Sequence, residues 1–424
     1  MAPGNGTPDR EQATRRQFFR VFGRQTAHSA GSVLAGVEAL RRSSRDALDD
    51  LLSDEEQPRR GAQAIEAPEP PAVPPTAFRS PYRFRGQAIE LLDQRDLPER
   101  AELISCAAAS EVASAIRRGL LSGGPVLGQV AAYALAMVAQ QVADRPAPAM
   151  AVALRGAADT LAVARPTSRA LAVALDRVIA HAETVVAADE GPAAAASILA
   201  EADRIASADA IDLSRLGQAG ADALPAPRDA AAGEGRPLAV LMHADQGPLT
   251  GGQVGAGTAL LQGLAAAGIP VHAWLTEATP LYEGRRAAWQ LGHLAIPHTL
   301  VPDTALGWLL EARRIDLLLL RAEWLLASGD VVAPLGSRVA ARQAREAGVV
   351  VAVCATASIY DRAAVDAAAV PLAGRLPAPQ AGHGSRIDPA ADIVPAGLVD
   401  LLLTDRGALA PPFAEQLARV GDHS

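Results

Sequence analysis

Residues 240–252 read VLMHADQGPLTGG. An apolar run ends at Met242, a histidine, an acid and an amide follow, and glycines stand at 247, 251 and 252. A stretch of helical character, GTALLQGLAAAG, begins at 257. Strand, Gly-containing loop and helix, in that order, are the parts of a parallel sheet with crossover helices. The alternation continues downstream. PLAVLMH (237–243), IPVHAWLT (269–276), HTLVP (298–302), DLLLLRA (316–322) and VVVAVCA (349–355) are short apolar runs. Strands buried on both faces read this way. Helical stretches such as SRVAARQAREAG (337–348) lie between them. Residues 236–424 are therefore expected to form a Rossmann-like, doubly wound parallel-sheet lobe. Ligands on such sheets bind beyond the C-terminal strand ends, and 243–252 sits at one.

Upstream, residues 82–225 are Ala/Leu-rich. EVASAIRRGLL (111–121), GQVAAYALAMVAQQVA (128–143) and SRALAVALDRVIAHA (168–182) place apolar residues at three- and four-residue steps, the period of a helix. The expectation is an α/β protein, with a helical N-terminal lobe over 82–225. An acidic, Ala-rich stretch around 226–235 reads as a loop between the lobes. Residues 51–81 hold seven prolines and read as an extended linker.

Residues 1–50 form a basic, then mixed-charge tail. Its TRRQFF, starting at Thr14, is similar to a twin-arginine export signal, but Arg24, His28 and Glu38 interrupt the apolar stretch that should follow. The other reading is an amphipathic helix carrying Phe18, Phe22, Val33, Val37 and Leu40. Such a helix would dock on a protein or membrane surface, or pack on its own domain. The cytoplasm is the expected compartment, with export as the minor alternative.

Half of the 424 residues are hydrophobic, enough for a sizeable core, and the net charge of −8 gives no reason to expect nucleic acid. The sequence contains no lysine. That excludes Schiff-base chemistry, a pyridoxal-phosphate lysine and a phosphate-loop lysine. Two distant cysteines, Cys106 and Cys354, make no disulfide framework and fit a reducing compartment. The eight histidines form no HExxH or paired metal spacing, so neither a metal nor a cofactor is expected. No apolar stretch is long enough to span a membrane.

Eight motifs then occur in series: LLDQRDLP (91–98), SGGPVLGQVAAYAL (122–135), ARPTSRALAVALDR (164–177), HADQG (243–247), TEATPLYEGRR (276–286), DTALGWLL (303–310), GDVVAPLGS (329–337) and IDPAADIVPAGLVDLLLTDRG (387–407). The series resembles the S-methyl-5-thioribose-1-phosphate isomerases of methionine salvage. It also resembles their relatives, the ribose-1,5-bisphosphate isomerases and the regulatory subunits of initiation factor 2B. The resemblance covers about 85–424 and implies a helical lobe before a Rossmann-like lobe that pairs into a homodimer. Active members of the family turn an aldose 1-phosphate into a ketose 1-phosphate. Moving hydrogen between C1 and C2 takes two groups that hold or give protons, and donors for the phosphate.

This sequence departs from the family at those groups. The family cysteine after the loop histidine is Ala244, which can neither give nor take a proton. The family Gly-Ala-Asp-Arg is Arg321-Ala322-Glu323-Trp324, so the carboxylate is kept on a longer arm. The Asn-Lys pair is Ala333-Pro334, the Arg-Gly-Ala-Pro loop is Ser122-Gly123-Gly124-Pro125, and a family glutamine is Glu283. The resemblance implies that Arg165 contacts phosphate, with Gly123, Gly124, His243, Gln246, Gly247, Gly251, Gly252 and Glu283 around the ligand. The helix opening near Gly255 offers amide N–H groups to an anion. Asp245 and Glu323 are the carboxylates available as replacement acid and base; ion pairing of Glu323 with Arg321 or Arg165, and a strand-capping hydrogen bond from His243, are the structural alternatives. Two functions stay open. One is a divergent binding or regulatory protein with a remnant sugar-phosphate pocket. The other is an aldose–ketose isomerase, an intramolecular oxidoreductase, on a related sugar 1-phosphate.

Overall fold

The computed structural model describes residues 81–188, 191–312, 315–372 and 389–421. The basic tail and all but the last residue of the Pro-rich stretch lie outside the described residues, and with them the export and docking readings.

The described chain opens with a small antiparallel sheet, β1 (Tyr82–Phe84), β2 (Ile89–Leu92) and β3 (Leu103–Cys106). Helical character was expected over most of this stretch. The strands are three or four residues long, too short to register in a window wide enough to detect periodicity. Ile89, Leu91 and Leu92 are nonetheless buried, so the sheet closes one side of the helical core. Five helices follow: α1 (Ala109–Arg117), α2 (Pro125–Gln141), α3 (Ala147–Ala162), α4 (Arg169–Ala188) and α5 (Gly191–Asp222). Pro125 occupies the first turn of α2, where its missing N–H costs nothing. From Val126 to Met137 every residue of α2 is buried, which makes it the central helix of the lobe. The 32 residues of α5 extend about 48 Å.

The stretch expected as an inter-lobe loop contains a further helix, α6 (Pro225–Gly233). Proline in the first turn, an alanine run and a closing glycine favour a helix, and they outweigh the acidic composition that suggested a loop.

The C-terminal lobe adds strands β4 (Leu238–Met242), β5 (Val271–Thr276), β6 (His298–Val301), β7 (Leu317–Arg321), β8 (Trp324–Leu326), β9 (Val331–Ala333), β10 (Val350–Cys354), β11 (Tyr360–Asp361), β12 (Asp392–Val394), β13 (Leu401–Thr404) and β14 (Gly407–Leu409). Seven form the main sheet in the order β14-β13-β10-β7-β4-β5-β6. All neighbours are parallel except β14, which runs antiparallel to β13. A second sheet, β11-β8-β9-β12, grows from the chain beyond β7. Helices α7 (Pro248–Gly251), α8 (Ala256–Ala266), α9 (Glu283–His293), α10 (Leu306–Glu311), α11 (Ser337–Glu346) and α12 (Phe413–Gly421) complete the lobe. Alternate residues of the central strands feed two cores. Leu241, Leu318, Leu320 and Val351 face one side with Ala340, Ala341 and Ala344 of α11. Val240, Met242, Leu317, Leu319 and Ala352 face the other, with Leu260 and Leu264 of α8.

The strand order reverses between β4 and β7: β5 and β6 lie to one side, β10 and β13 to the other. Such a switch point leaves a crevice at the C-terminal ends of the two strands. His243 follows β4, and Arg321 ends β7.

Helix α5 reaches this lobe at Gly217, where an added Cβ would lie 2.6 Å from the carbonyl carbon of Ala259 on α8. Both atoms belong to packed helices, so neither can yield cheaply. Gly217→Leu should lower stability by about 1–3 kcal/mol through overpacking. Chemical denaturation would read this as an earlier midpoint; an unmoved midpoint would refute the close packing of α5 on α8.

Candidate functional site

The switch-point crevice is occupied by charged side chains of the protein itself. Arg321 is 4 % exposed. Its Nη1 donates to Glu323 Oε1 at 2.6 Å, and its Nη2 donates to Glu283 Oε2 at 3.1 Å. Glu323 lies two residues beyond β7, and Glu283 begins α9. Arg286, one turn along α9 and also buried, brings Nη2 to 3.9 Å from Glu283 Oε1.

The N-terminal lobe closes on this cluster with the Ser122–Pro125 loop. Gly124 N–H donates to Glu323 Oε2 at 3.1 Å. A Cβ on Gly123 would sit 2.4 Å from Glu323 Oε1, and Gly124 adopts φ +79 with Thr250 O 2.8 Å from where its Cβ would be. These two glycines admit the backbone to the carboxylate. Ser122 is fixed from behind: its N–H and hydroxyl both donate to Gln94 Oε1, at 3.0 and 2.6 Å. Gln94 Nε2 in turn donates to Leu249 O at 3.0 Å.

Burial pushes the Glu283 carboxyl up, but Arg321 and Arg286 outweigh it and hold the group below the usual carboxylate range. Burial also disfavours the Arg321 charge, and Glu323, Glu283 and Asp245 more than offset it, so its pKa stays above the ordinary value. For Asp245 burial prevails over Arg286 and the Gly247 N–H, and its pKa is raised.

Of the residues expected at the site, Arg165, Ala244, Glu283 and Glu323 line one cavity, together with Arg321 and Ala333-Pro334. Its volume is only about 20 Å³, room for about one water. Asp245 is absent from this lining. Gln290 Nε2 lies 2.9 Å from both its oxygens, and Gly247 N–H donates to Oδ1 at 2.8 Å. Gln246 is also turned inward, its Nε2 donating to Leu319 O at 2.8 Å. His243 is held at both ring nitrogens: Nε2 is 2.7 Å from Leu335 O, and Nδ1 is 2.7 Å from Thr276 Oγ1. A carbonyl can only accept, so Nε2 carries a proton.

The loop glycines serve packing. A Cβ on Gly247 would meet Gln290 Oε1 at 2.3 Å, and one on Gly252 would meet Gln129 Oε1 at 2.1 Å. Gly251 O accepts from Gln129 Nε2 at 3.0 Å. The helix opening after Gly255 offers little to an anion, because the N–H groups of Gly257 and Thr258 point at Gln246 O, at 3.0 and 3.4 Å. Arg165 keeps most of its donors free, with Nη2 on Ser122 O at 3.2 Å. Sequence reasoning placed Arg321 beside Glu323 but missed that it fills the crevice; an arginine ending a strand that is otherwise LLLL was the available signal. No group of three or more potential metal-ligating residues occurs among the described residues.

The sequence profile of the Initiation factor 2 subunit family matches residues 121–411. The methylthioribose-1-phosphate isomerase of Chloroflexus aurantiacus is 33 % identical over 350 residues, covering 80 % of this chain and 97 % of that protein. Among solved structures, the 5-methylthioribose 1-phosphate isomerase of Pyrococcus horikoshii matches with a TM-score of 0.70 at 24 % identity, covering 83 % of this chain and 99 % of that one. The initiation factor eIF-2B subunit delta of A. fulgidus matches with a TM-score of 0.63 at 24 % identity, covering 81 % and 99 %.

The cluster generates two predictions. Arg321→Ala leaves buried carboxylates unpaired and should cost about 3–5 kcal/mol, read as a lowered unfolding midpoint; a loss below about 0.5 kcal/mol would contradict the pairing. Because the folded pKa of Glu283 is lowered, its contribution is present above the ordinary carboxylate pKa of about 4.3 and is lost as pH falls through that value and below. Stability should therefore drop more steeply between about pH 5 and 3 in the unaltered protein than in Glu283→Gln. Parallel pH profiles would count against it.

Proposed function

The chain belongs to the initiation factor 2 subunit family, and from that premise we propose a divergent member that binds or regulates and does not isomerise methylthioribose 1-phosphate. One observation carries the reading: the buried Arg321–Glu283–Glu323 cluster stands at the sheet's switch point and leaves about 20 Å³ of cavity. The cluster places charged side chains where a ligand at the switch point would sit.

The protein's own chemistry supports the same reading. Isomerisation demands a group that takes a proton from C2 and a group that returns one to C1. Ala244 offers neither. Both oxygens of Glu323 are engaged, one by Arg321 and one by Gly124 N–H. Freeing this carboxylate to act as a base would take one of its two carboxylate partners from a buried guanidinium. Asp245 is held by Gln290 away from the cavity. Losing one proton-transfer group costs about 10²–10⁴ in rate. The pocket is thus a remnant, with Arg165 as the donor still open to an anion.

The name of the Chloroflexus aurantiacus relative favours the second reading, an aldose–ketose isomerase. In that case Glu323 and Asp245 would serve as acid and base. The two readings differ in turnover. Incubation with methylthioribose 1-phosphate, followed by NMR of the ketose product, should show none; turnover near about 1–10³ per second would establish the isomerase instead. Ala244→Cys alone should not restore activity, since the cluster still occupies the crevice. We also propose a homodimer, in keeping with the pairing of this family through its C-terminal lobe. Light scattering at micromolar protein should give twice the chain mass, and a monomer mass would refute it.

A further inference from the structure

Away from the crevice, one side-chain amide ties three parts of the chain together. Gln129, in the buried middle of α2, is 1 % exposed. Its Oε1 accepts from the Tyr82 hydroxyl of β1 at 3.0 Å. Its Nε2 donates to Gly251 O, at the end of α7, at 3.0 Å and to Asp209 Oδ2, on α5, at 2.9 Å. Both N–H bonds of the amide are thereby used. Leu213, one turn beyond Asp209 on α5, lies 3.0 Å from where a Cβ on Gly251 would be, so α5, α2 and the loop after β4 meet at this point. We propose that Asp209 and Gln129 form a proton-operated latch between the lobes: with a proton on Asp209 the 247–252 loop is held against the helical lobe, and loss of the proton to solvent loosens it.

The surroundings of the carboxylate carry the inference. Among the described residues Gln129 is its one hydrogen-bond donor, and no arginine or histidine comes within ion-pair distance of it. Of the elements packed on α5, helix α2 offers Gln129 and, one turn on, Tyr133, whose hydroxyl donates to Asp203 at 2.7 Å. Helix α4 offers Arg177, which is held by Glu201. Helices α7 and α8 carry no ionisable side chain. On α5 itself Asp212 stands three residues further along, and Asp405 and Arg406 of the β13–β14 turn act on Asp212. A carboxylate taken from water without a cation beside it favours its neutral form. Burial, opposed by the Gln129 amide and Arg177 and helped by Asp212, pushes the Asp209 carboxyl up to about 7.

Ionisation puts a negative charge into the seam between α2 and α5. The charge is relieved by water drawn into the seam or by closer approach of the Gln129 N–H, because a charged acceptor forms the stronger bond. Either movement works against the other N–H, the one on Gly251 O, since both belong to one planar amide. Gly251 closes the short helix whose Leu249 N–H donates to Gln290 Oε1 at 3.0 Å, so the change reaches the chain that leaves β4 at the switch point. The sign follows from the raised folded pKa. The ordinary aspartate value is about 3.9; the contribution of a protonated Asp209 is complete below it and is lost as pH rises from there through about 7.

The test compares the full-length protein with Asp209→Asn, a neutral isostere of the protonated acid. Between about pH 5 and 7 the unfolding equilibrium constant of the unaltered protein should rise by roughly 10- to 50-fold more than that of the variant. Hydrogen exchange of peptides covering 247–252, corrected for the intrinsic pH dependence of exchange, should lose protection between about pH 6 and 8 in the unaltered protein and keep it in Asp209→Asn. A carboxylate that only packs would not move this loop. Equal pH responses of the two proteins would overturn the proposal, as would loop protection that ignores pH. Should Asp209→Asn fail to fold, carbon-13 NMR of the unaltered protein with carboxyl-labelled aspartate decides the matter: the latch requires an aspartate that titrates near pH 7, and the absence of one would overturn it.

Discussion

The guanidinium of Arg321, buried between Glu283 and Glu323, is the constraint on which the rest of this structure depends. Taking a single charge out of water costs several kcal/mol, so the fold must deliver its partners. It does so from three directions. The end of β7 supplies Arg321 itself, the chain just beyond supplies Glu323, and the first turn of α9 supplies Glu283. The N-terminal lobe completes the arrangement when Gly124 N–H reaches Glu323. Neither lobe could shift against the other without exposing or stranding a charge. The cluster is therefore the floor of the crevice and one of the ties between the lobes, beside the packing of α5 on α8.

A parallel sheet with a switch point is built to present such a crevice to a ligand, and here the crevice holds its own counterions. Ala244 and Arg321 act together on this crevice. The methyl group of Ala244 can neither give nor take a proton, and the Arg321 guanidinium fills space beside it. Ala244 still adopts φ +65, a conformation that costs a β-carbon-bearing residue about 1–2 kcal/mol. Backbone strain of this kind concentrates at functional loops. Arg165 lines this crevice and spends only one hydrogen bond, on Ser122 O.

Much of the fold was legible because five continuous apolar runs alternate with helices, and period and burial agree in each. The pieces that were not legible are short or local. Strands β1 to β3 span three or four residues, and their partners are set by tertiary contact. Helix α6 was hidden because Asp229 and Glu234 in the surrounding stretch spoke for a loop while its proline and alanines spoke for a helix. At the site, the pairing of Glu323 with Arg321 was among the alternatives that two residues on one strand end suggest. The placement of Asp245 was not. The left-handed turn at Ala244 breaks the alternation along the chain, and Asp245 is delivered to Gln290 on α9. No pattern in HADQG announces that turn, because an alanine carries no signal for positive φ. The junction at Gln129 was invisible for a different reason: Tyr82, Asp209 and Gly251 come from segments far apart in the chain.

A double-mutant cycle between Arg321→Met and Glu323→Gln tests the central claim most directly. Unfolding free energies of the four proteins isolate the interaction from the separate effects of each change. If the buried pair ties the crevice shut, the double variant should lose less stability than the sum of the single variants, by about 1–3 kcal/mol. Additivity within about 0.5 kcal/mol would mean that Arg321 and Glu323 do not depend on each other, and the account of a self-filled, lobe-locking site would fall.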